Sequence, residues 1–257
     1  MITLSLVGIG SGNPDHLTRQ AVQRLESADV ILLPRKGAEK TDLADLRRMI
    51  ASEILTSTPE IVEFDYPVRD AATPKYLDGV NTWHDALAAI WQRLISQHVA
   101  PDGHVALMVW GDPSLYDSTL RIADRLIARG MDLSVDVIPG ITSLQMLTAA
   151  HAIPLNPLGG PVLITTGRKL REEGWPKGAD TLAVMLDGEC SFSHLDSDQI
   201  FIWWGAYVGM PQQVLISGDL AEVQQQIVDT RANARSESGW IMDIYLLQKS
   251  EGTRVSS

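Results

Sequence analysis

The chain has 257 residues, 45% of them hydrophobic and 21% charged, with a formal net charge of −11. That length buries one large core or two modest ones, and two fused units are the starting expectation. The charge argues against nucleic-acid binding, which runs largely on Lys and Arg, and no apolar run approaches the roughly 20 residues that span a bilayer, so neither nucleic acid nor membrane is an expected partner. Cys190 is the only cysteine, which excludes disulfides within the chain, thiolate zinc clusters and iron–sulfur clusters held by this chain alone, and fits a reducing cytoplasm.

In chain order, residues 3–9 are rich in β-formers and lack the basic segment and cleavage site of a signal peptide, so they read as a core strand opening the mature chain. Gly8-Ile9-Gly10-Ser11-Gly12-Asn13-Pro14 follows, with three glycines on alternate positions that suit close backbone approach. Leu17, Ala21, Val22 and Leu25 have helical spacing, and 29–33 returns as a strand ended by Pro34. The polar stretch 36–48 has helical spacing at Leu43, Leu46, Met49 and Ile50, and 61–64 is a short strand. Residues 77–97 predict an amphipathic helix whose Trp83 and Trp91 serve packing. A buried strand at 105–109 then runs into Trp110-Gly111-Asp112-Pro113-Ser114-Leu115-Tyr116-Asp117-Ser118, which reads as a ligand loop at the sheet edge.

Next come a helix over 120–129, a strand over 133–138, a break at Pro139-Gly140, and a helix over 141–151 capped by Thr142 or Ser143. Three prolines and two glycines in 153–161 predict the domain boundary there. The expected organisation is therefore 1–155, a parallel α/β domain; 156–248, a mixed α/β domain; and 249–257, a flexible tail. Strands are expected at 162–165, 181–186, 200–204, 214–217 and 240–247, with one helix at 220–230.

Several chemistries do not assemble. The glycine pattern misses the dinucleotide fingerprint, because Asn13 stands where its third glycine belongs and Leu33-Pro34 where its acid belongs. There is no phosphate loop, nucleophile elbow or H-E-x-x-H pair, and no metal site is expected. His151 sits on an apolar helix with nothing nearby in sequence to orient it, and reads as packed.

The Gly-rich loop, the Gly-Asp-Pro loop and Val137-Ile138-Pro139-Gly140-Ile141-Thr142-Ser143 occur in that order. They continue through Ile153-Pro154-Leu155, Thr181-Leu182-Ala183-Val184-Met185-Leu186, and Trp204-Gly205-Ala206 with Pro211-Gln212-Gln213. Over nearly the whole chain this resembles the tetrapyrrole methylase family of S-adenosylmethionine-dependent methyltransferases. The resemblance implies two α/β domains with S-adenosylmethionine in the cleft between them, S-adenosylhomocysteine as product, a tetrapyrrole substrate, and a homodimer. By position it implies cofactor contacts from Pro14, Trp110, Gly111, Asp112, Leu115, Thr142, Ser143, Met185, Leu186 and Ala206. Trp110 departs from the family's usual Gly-Gly-Asp, and Tyr207-Val208-Gly209-Met210 reads as an insertion.

Within the family, Ala28-Asp29-Val30, the stretch 36–43, Arg47-Arg48, residues 109–121, Thr165-Thr166-Gly167-Arg168 and Met185-Leu186-Asp187-Gly188 look like the deacetylating branch of aerobic cobalamin synthesis. That branch methylates carbon 1 of precorrin-5 and expels the acetyl group as acetate, and there Trp110 is typical. Methyl transfer needs positioning rather than a base. Acetate loss needs a base and an oxyanion donor, for which Asp15, His16, Tyr116 and Glu189 are the candidates. Arg35, Lys36, Arg168 and Lys169 are candidates for gripping the substrate carboxylates. Two alternatives stay open: another precorrin carbon methyltransferase, and a non-catalytic tetrapyrrole carrier.

Overall fold

The structure, a computed structural model, describes residues 1–35, 42–67 and 76–249. The chain forms two compact units, Met1–Thr142 and Ser143–Ser257, each built on a five-stranded sheet. Both are α/β, as the alternation of patterns predicts.

In the first unit the sheet is parallel throughout, in the order β3-β2-β4-β1-β5, with β1 at Ile2–Gly8, β2 at Val30–Arg35, β3 at Glu60–Asp65, β4 at His104–Val109 and β5 at Leu133–Ile138. Its central strands are covered on both faces, which is why 105–109 shows no polar alternation. Leu4, Leu6, Leu32 and Leu107 pack on one face against Leu87 and Trp91 of α3 (Tyr76–His98) and Ile122 and Leu126 of α4 (Thr119–Ala128). Val7, Ile31, Ala106 and Met108 pack on the other against Ala21 and Leu25 of α1 (Arg19–Glu26) and Ile50 and Ala51 of α2 (Asp42–Ile54). Strands β1 and β4 are neighbours, yet their following helices lie on opposite faces. The carboxyl ends of such a pair are where open α/β sheets bind ligands.

The two tryptophans of α3 do serve packing: Trp91 is buried, and Trp83 donates its indole N–H to the Pro67 carbonyl at 2.8 Å. Pro34 does not end β2. The carbonyls of Asp29 and Arg35 accept from Glu60 and Tyr66, so odd-numbered backbone groups of β2 face β3. The ring nitrogen of Pro34 faces the β4 side, beyond the last β2–β4 pair, Leu32 with Leu107, where no ladder donor is missed.

The second unit holds a mixed sheet, β6-β7-β10-β8-β9, in which only β6 (Leu163–Thr166) and β7 (Thr181–Met185) are parallel; β8 is Ile200–Ala206, β9 Val214–Asp219 and β10 Asp243–Lys249. Helix α5 (Ser143–His151) belongs here because it packs on β8 and β10, and His151 Nε2 bonds to the Trp204 carbonyl at 3.0 Å. The division thus falls ahead of α5, whereas the Pro-rich stretch after it marks the boundary in sequence. Helix α6 (Gly167–Glu173) has no counterpart among the expected elements, since seven residues opening on glycine are too short to show a period. Helix α7 (Leu220–Ser238) outruns its expected end and stops at Gly239, whose φ of 73° closes it. Lys249, assigned by sequence to a tail, pairs with Ile200 as the last residue of β10, and 250–257 lies outside the described residues. No helix among the described residues is long and apolar enough to cross a membrane.

Candidate functional site

Three loops meet at the carboxyl ends of β1, β4 and β5, and they meet through glycine. A Cβ on Gly8 would stand 2.6 Å from the Gly140 nitrogen and 2.8 Å from the Gly111 oxygen, and one on Gly140 would stand 2.1 Å from that same oxygen. Backbone therefore packs on backbone, which any side chain would prevent. Gly111 donates to the Gly10 carbonyl at 2.8 Å and Gly10 returns the bond at 3.3 Å, both at positive φ.

Asp112 latches the junction. Its Oδ2 accepts from the Gly140 N–H at 2.9 Å, and its Oδ1 accepts from the Ser114 N–H at 2.8 Å and from the Ser114 hydroxyl. Burial pushes its carboxyl upward, but these bonds outweigh it and hold the pKa below the ordinary value. A carboxylate offers about four acceptor positions. Three are used by these bonds. Leu115 donates its N–H to the Asp112 carbonyl at 3.2 Å, and buried Thr142 lies beside Gly111. The structure thus brings Gly111, Asp112, Leu115 and Thr142 together.

Pro14, Asp15 and His16 form a short 3-10 turn after the glycine loop, capped by the Asn13 side chain. Asp15 is exposed, whereas the His16 side chain packs beside Gly10 and its Nδ1 is buried without a partner. Tyr116 is exposed, at a φ of 50°.

In the second unit, Val184 and Trp204 both lie opposite Tyr245, which puts Met185, Leu186 and Ala206 at one end of the sheet. Leu186 leaves β7 at a φ of 53° and is exposed, rather than continuing the strand. Buried Asp187 anchors this turn, accepting from the Tyr245 hydroxyl at 2.7 Å, the Ser191 N–H at 2.6 Å and the Ser191 hydroxyl at 2.8 Å. Arg231 donates to the Asp187 carbonyl and pairs with Asp243 at 2.9 Å. Tyr207 of the apparent insertion is buried and donates its hydroxyl to the Trp240 carbonyl at 2.6 Å, in a turn after β8. Ser143 opens α5 in this unit.

The candidate basic residues among the described residues are engaged. Arg35 pairs with Glu63 and Asp65. Exposed Lys169 lies 3.8 Å from Glu173 on α6, which also carries exposed Arg168, and Glu189 pairs with Arg171. Lys36 lies outside the described residues. Nothing in the sequence points to a separate cavity of about 190 Å³ within the first unit, lined by Arg47, Tyr66, Trp110 and Asp117 among others. Arg47 is identifiable only as one of a pair of arginines, and Tyr66 by nothing at all.

Residues 3–224 match the family of tetrapyrrole (corrin/porphyrin) methylases. The chain is 49% identical to a precorrin-6A synthase (deacetylating) of Sinorhizobium sp., over 97% of this chain and 96% of that protein. Among solved structures, a cobalamin synthesis related protein (CobF) of Corynebacterium diphtheriae matches with a TM-score of 0.82 at 37% identity, covering 97% of this chain and 99% of the other. A uroporphyrin-III C-methyl transferase of Thermus thermophilus complexed with S-adenyl homocysteine shares the fold, with a TM-score of 0.58 at 20% identity over 96% and 92% of the two chains.

Proposed function

Because the chain belongs to the tetrapyrrole (corrin/porphyrin) methylase family, we propose that it is an S-adenosylmethionine-dependent C-methyltransferase of cobalamin biosynthesis with precorrin-6A synthase (deacetylating) activity. It methylates carbon 1 of precorrin-5 and releases the acetyl group as acetate. The likeness to the Sinorhizobium enzyme carries this reading, because it runs through both units.

The residues present fit the methyl donor. The glycine junction offers backbone groups without side-chain obstruction, and the last acceptor position of Asp112 suits an ammonium or a ribose hydroxyl. Pro14, Trp110, Gly111, Leu115, Thr142 and Ser143, with Met185, Leu186 and Ala206, supply the remaining contacts. When bound, S-adenosylmethionine supplies an activated methyl on its sulfonium. The chain contributes position and exclusion of water, which is most of what methyl transfer requires.

Acetate loss needs more. Of Asp15, His16, Tyr116 and Glu189, His16 is the best supported as base, since it is packed at the glycine loop with one ring nitrogen unpartnered. Arg35, Lys36, Arg168 and Lys169 hold the substrate carboxylates, and Arg35 exchanges its present acidic partners to do so. The protein works as a cytoplasmic homodimer, which light scattering tests for the oligomer.

The deciding experiment is mass spectrometry of the product, with an acetate assay, after incubation with S-adenosylmethionine and enzymatically generated precorrin-5. Methyl gain coupled to acetate release is expected. Methylation with the acetyl group retained moves the substrate to another precorrin carbon, and no methyl transfer beside an active control enzyme leaves the carrier reading.

A further inference from the structure

We propose that the cavity at the carboxyl ends of β2 and β4 is a subsite for a small acyl or carboxylate group, in which Arg47 and Tyr66 hold the oxygens. The assignment rests on the deacetylating reading: the group is the acetyl substituent on its way to acetate.

Size comes first. At about 190 Å³, where about 10–15 Å³ of such space suffices for one water, the cavity is ample for an acetyl group with one attacking water. Position comes second. The cavity reaches Trp110, the residue directly before the Gly111-Asp112 junction, and lies on the sheet edge where the fold places ligands.

The lining chemistry is two-sided in the way an acetyl group is. Pro34 and Val109 offer an apolar wall for a methyl, while Arg47, Tyr66 and Asp117 bring polar groups to the same small space. Arg47 is a buried cation with 8% of its surface exposed. Its Nε–H donates to the Met108 carbonyl at 3.1 Å and its guanidinium lies 5.4 Å from the centre of the Trp110 ring, which together orient the guanidinium plane. A cation so placed, away from water, acts far more strongly on an oxyanion than it would at the surface. Burial pushes the Tyr66 hydroxyl pKa up, so it stays protonated and available as a donor. Asp117 is committed to the start of α4, accepting from the Thr119 N–H at 2.6 Å and from its hydroxyl.

In the step this site serves, the oxygen of water bonds to the acetyl carbonyl carbon, and the former carbonyl oxygen carries the negative charge toward Arg47 and Tyr66. The carbon–carbon bond to the macrocycle then breaks, and its electron pair stays on the ring carbon, where methylation uses it. One water is consumed, its two protons are released, and acetate departs with one oxygen from water and one from the acetyl group. No oxidant or reductant is involved.

The test uses the full-length protein and carbon-13-labelled acetate, with binding read from the acetate NMR line width. Wild type is expected to bind acetate saturably, and Tyr66→Phe and Arg47→Gln to weaken it at least tenfold while S-adenosylhomocysteine binding holds. Tyr66→Phe removes a single oxygen and decides the matter if Arg47→Gln does not fold. Absence of saturable acetate binding in wild type, or equal affinity in wild type and Tyr66→Phe, overturns the subsite. Turnover of precorrin-5 is scored separately. Acetate release by wild type with acetate binding indifferent to Tyr66→Phe keeps the deacetylating reading and overturns the subsite; binding that Tyr66→Phe abolishes, without acetate release from precorrin-5, overturns that reading and keeps a small-carboxylate site.

Discussion

The two units hold the loops that follow their strands by opposite means. In the first, precision comes from what is missing: Gly8, Gly111 and Gly140 let three loops touch through their backbones, and a single carboxylate, Asp112, ties two of them. In the second, the turn after β7 is held by what is buried, a network of Asp187, Ser191, Arg231, Asp243 and Tyr245 beneath an exposed Leu186 in a left-handed conformation. A backbone junction is tight but fails by steric intrusion. A buried ionic network tolerates bulk nearby but fails when one partner is removed and the other is left charged and dry.

That contrast can be broken at its most vulnerable point first. Arg231→Met strands the carboxyl of Asp243, which is 6% exposed, and should destabilise the protein by about 3–5 kcal/mol in urea unfolding. Adding Asp243→Leu should restore much of the loss, and a double variant as unstable as the single one would mean that packing of the arginine stem, not charge, holds the turn. Gly140→Ala comes next. Its Cβ meets backbone that cannot swing away, so we expect about 1–3 kcal/mol of destabilisation and at least a tenfold loss of S-adenosylhomocysteine affinity by calorimetry. An unchanged affinity would separate the glycine junction from the ligand.

Asp112→Asn is milder, at about 1 kcal/mol, because the amide keeps one acceptor oxygen. The pH dependence of this latch has a definite sign. The folded pKa of Asp112 lies below the unfolded value of about 3.9, so its contribution is complete above that value and disappears as pH falls through the lower folded one. Stability of wild type minus that of Asp112→Asn should be flat at neutral pH and shrink only in strong acid. The last expectation concerns reactivity rather than stability, at Cys190, whose thiol burial pushes up to about 11 from 9.0. Alkylation at neutral pH should run about a hundredfold slower than at a thiol of ordinary pKa, because the reactive thiolate is correspondingly scarcer, and labelling at the ordinary rate would show that the turn opens.

Much of the first unit is legible in its sequence. Apolar runs at β1, β2 and β4 and helical spacing in α1 and α3 are local signals, and Gly-Asp-Pro and Pro-Gly mark loops whatever the rest of the chain does. Pro34 misleads as a strand terminator because the consequence of its missing N–H depends on which neighbour that edge faces, and β4 pairing has already stopped there. Arg35 and Lys169 stand out by charge, yet their partners Glu63, Asp65 and Glu173 become apparent only once strands and helix turns are set side by side.

The sequence by itself determined the α/β class, the order of the loops and the motifs that mark the family, because periodicity, turn chemistry and ordered motifs are properties of neighbouring residues. Tertiary structure alone decided that α5 packs with the second sheet, that Asp112 accepts from the Gly140 N–H on another loop, and that Arg47, Tyr66 and Trp110 share one small cavity. The physical reason is common to all three. Each depends on residues far apart in the chain being brought within a few ångströms, and neither side-chain type nor spacing encodes which long-range neighbour a buried group will meet.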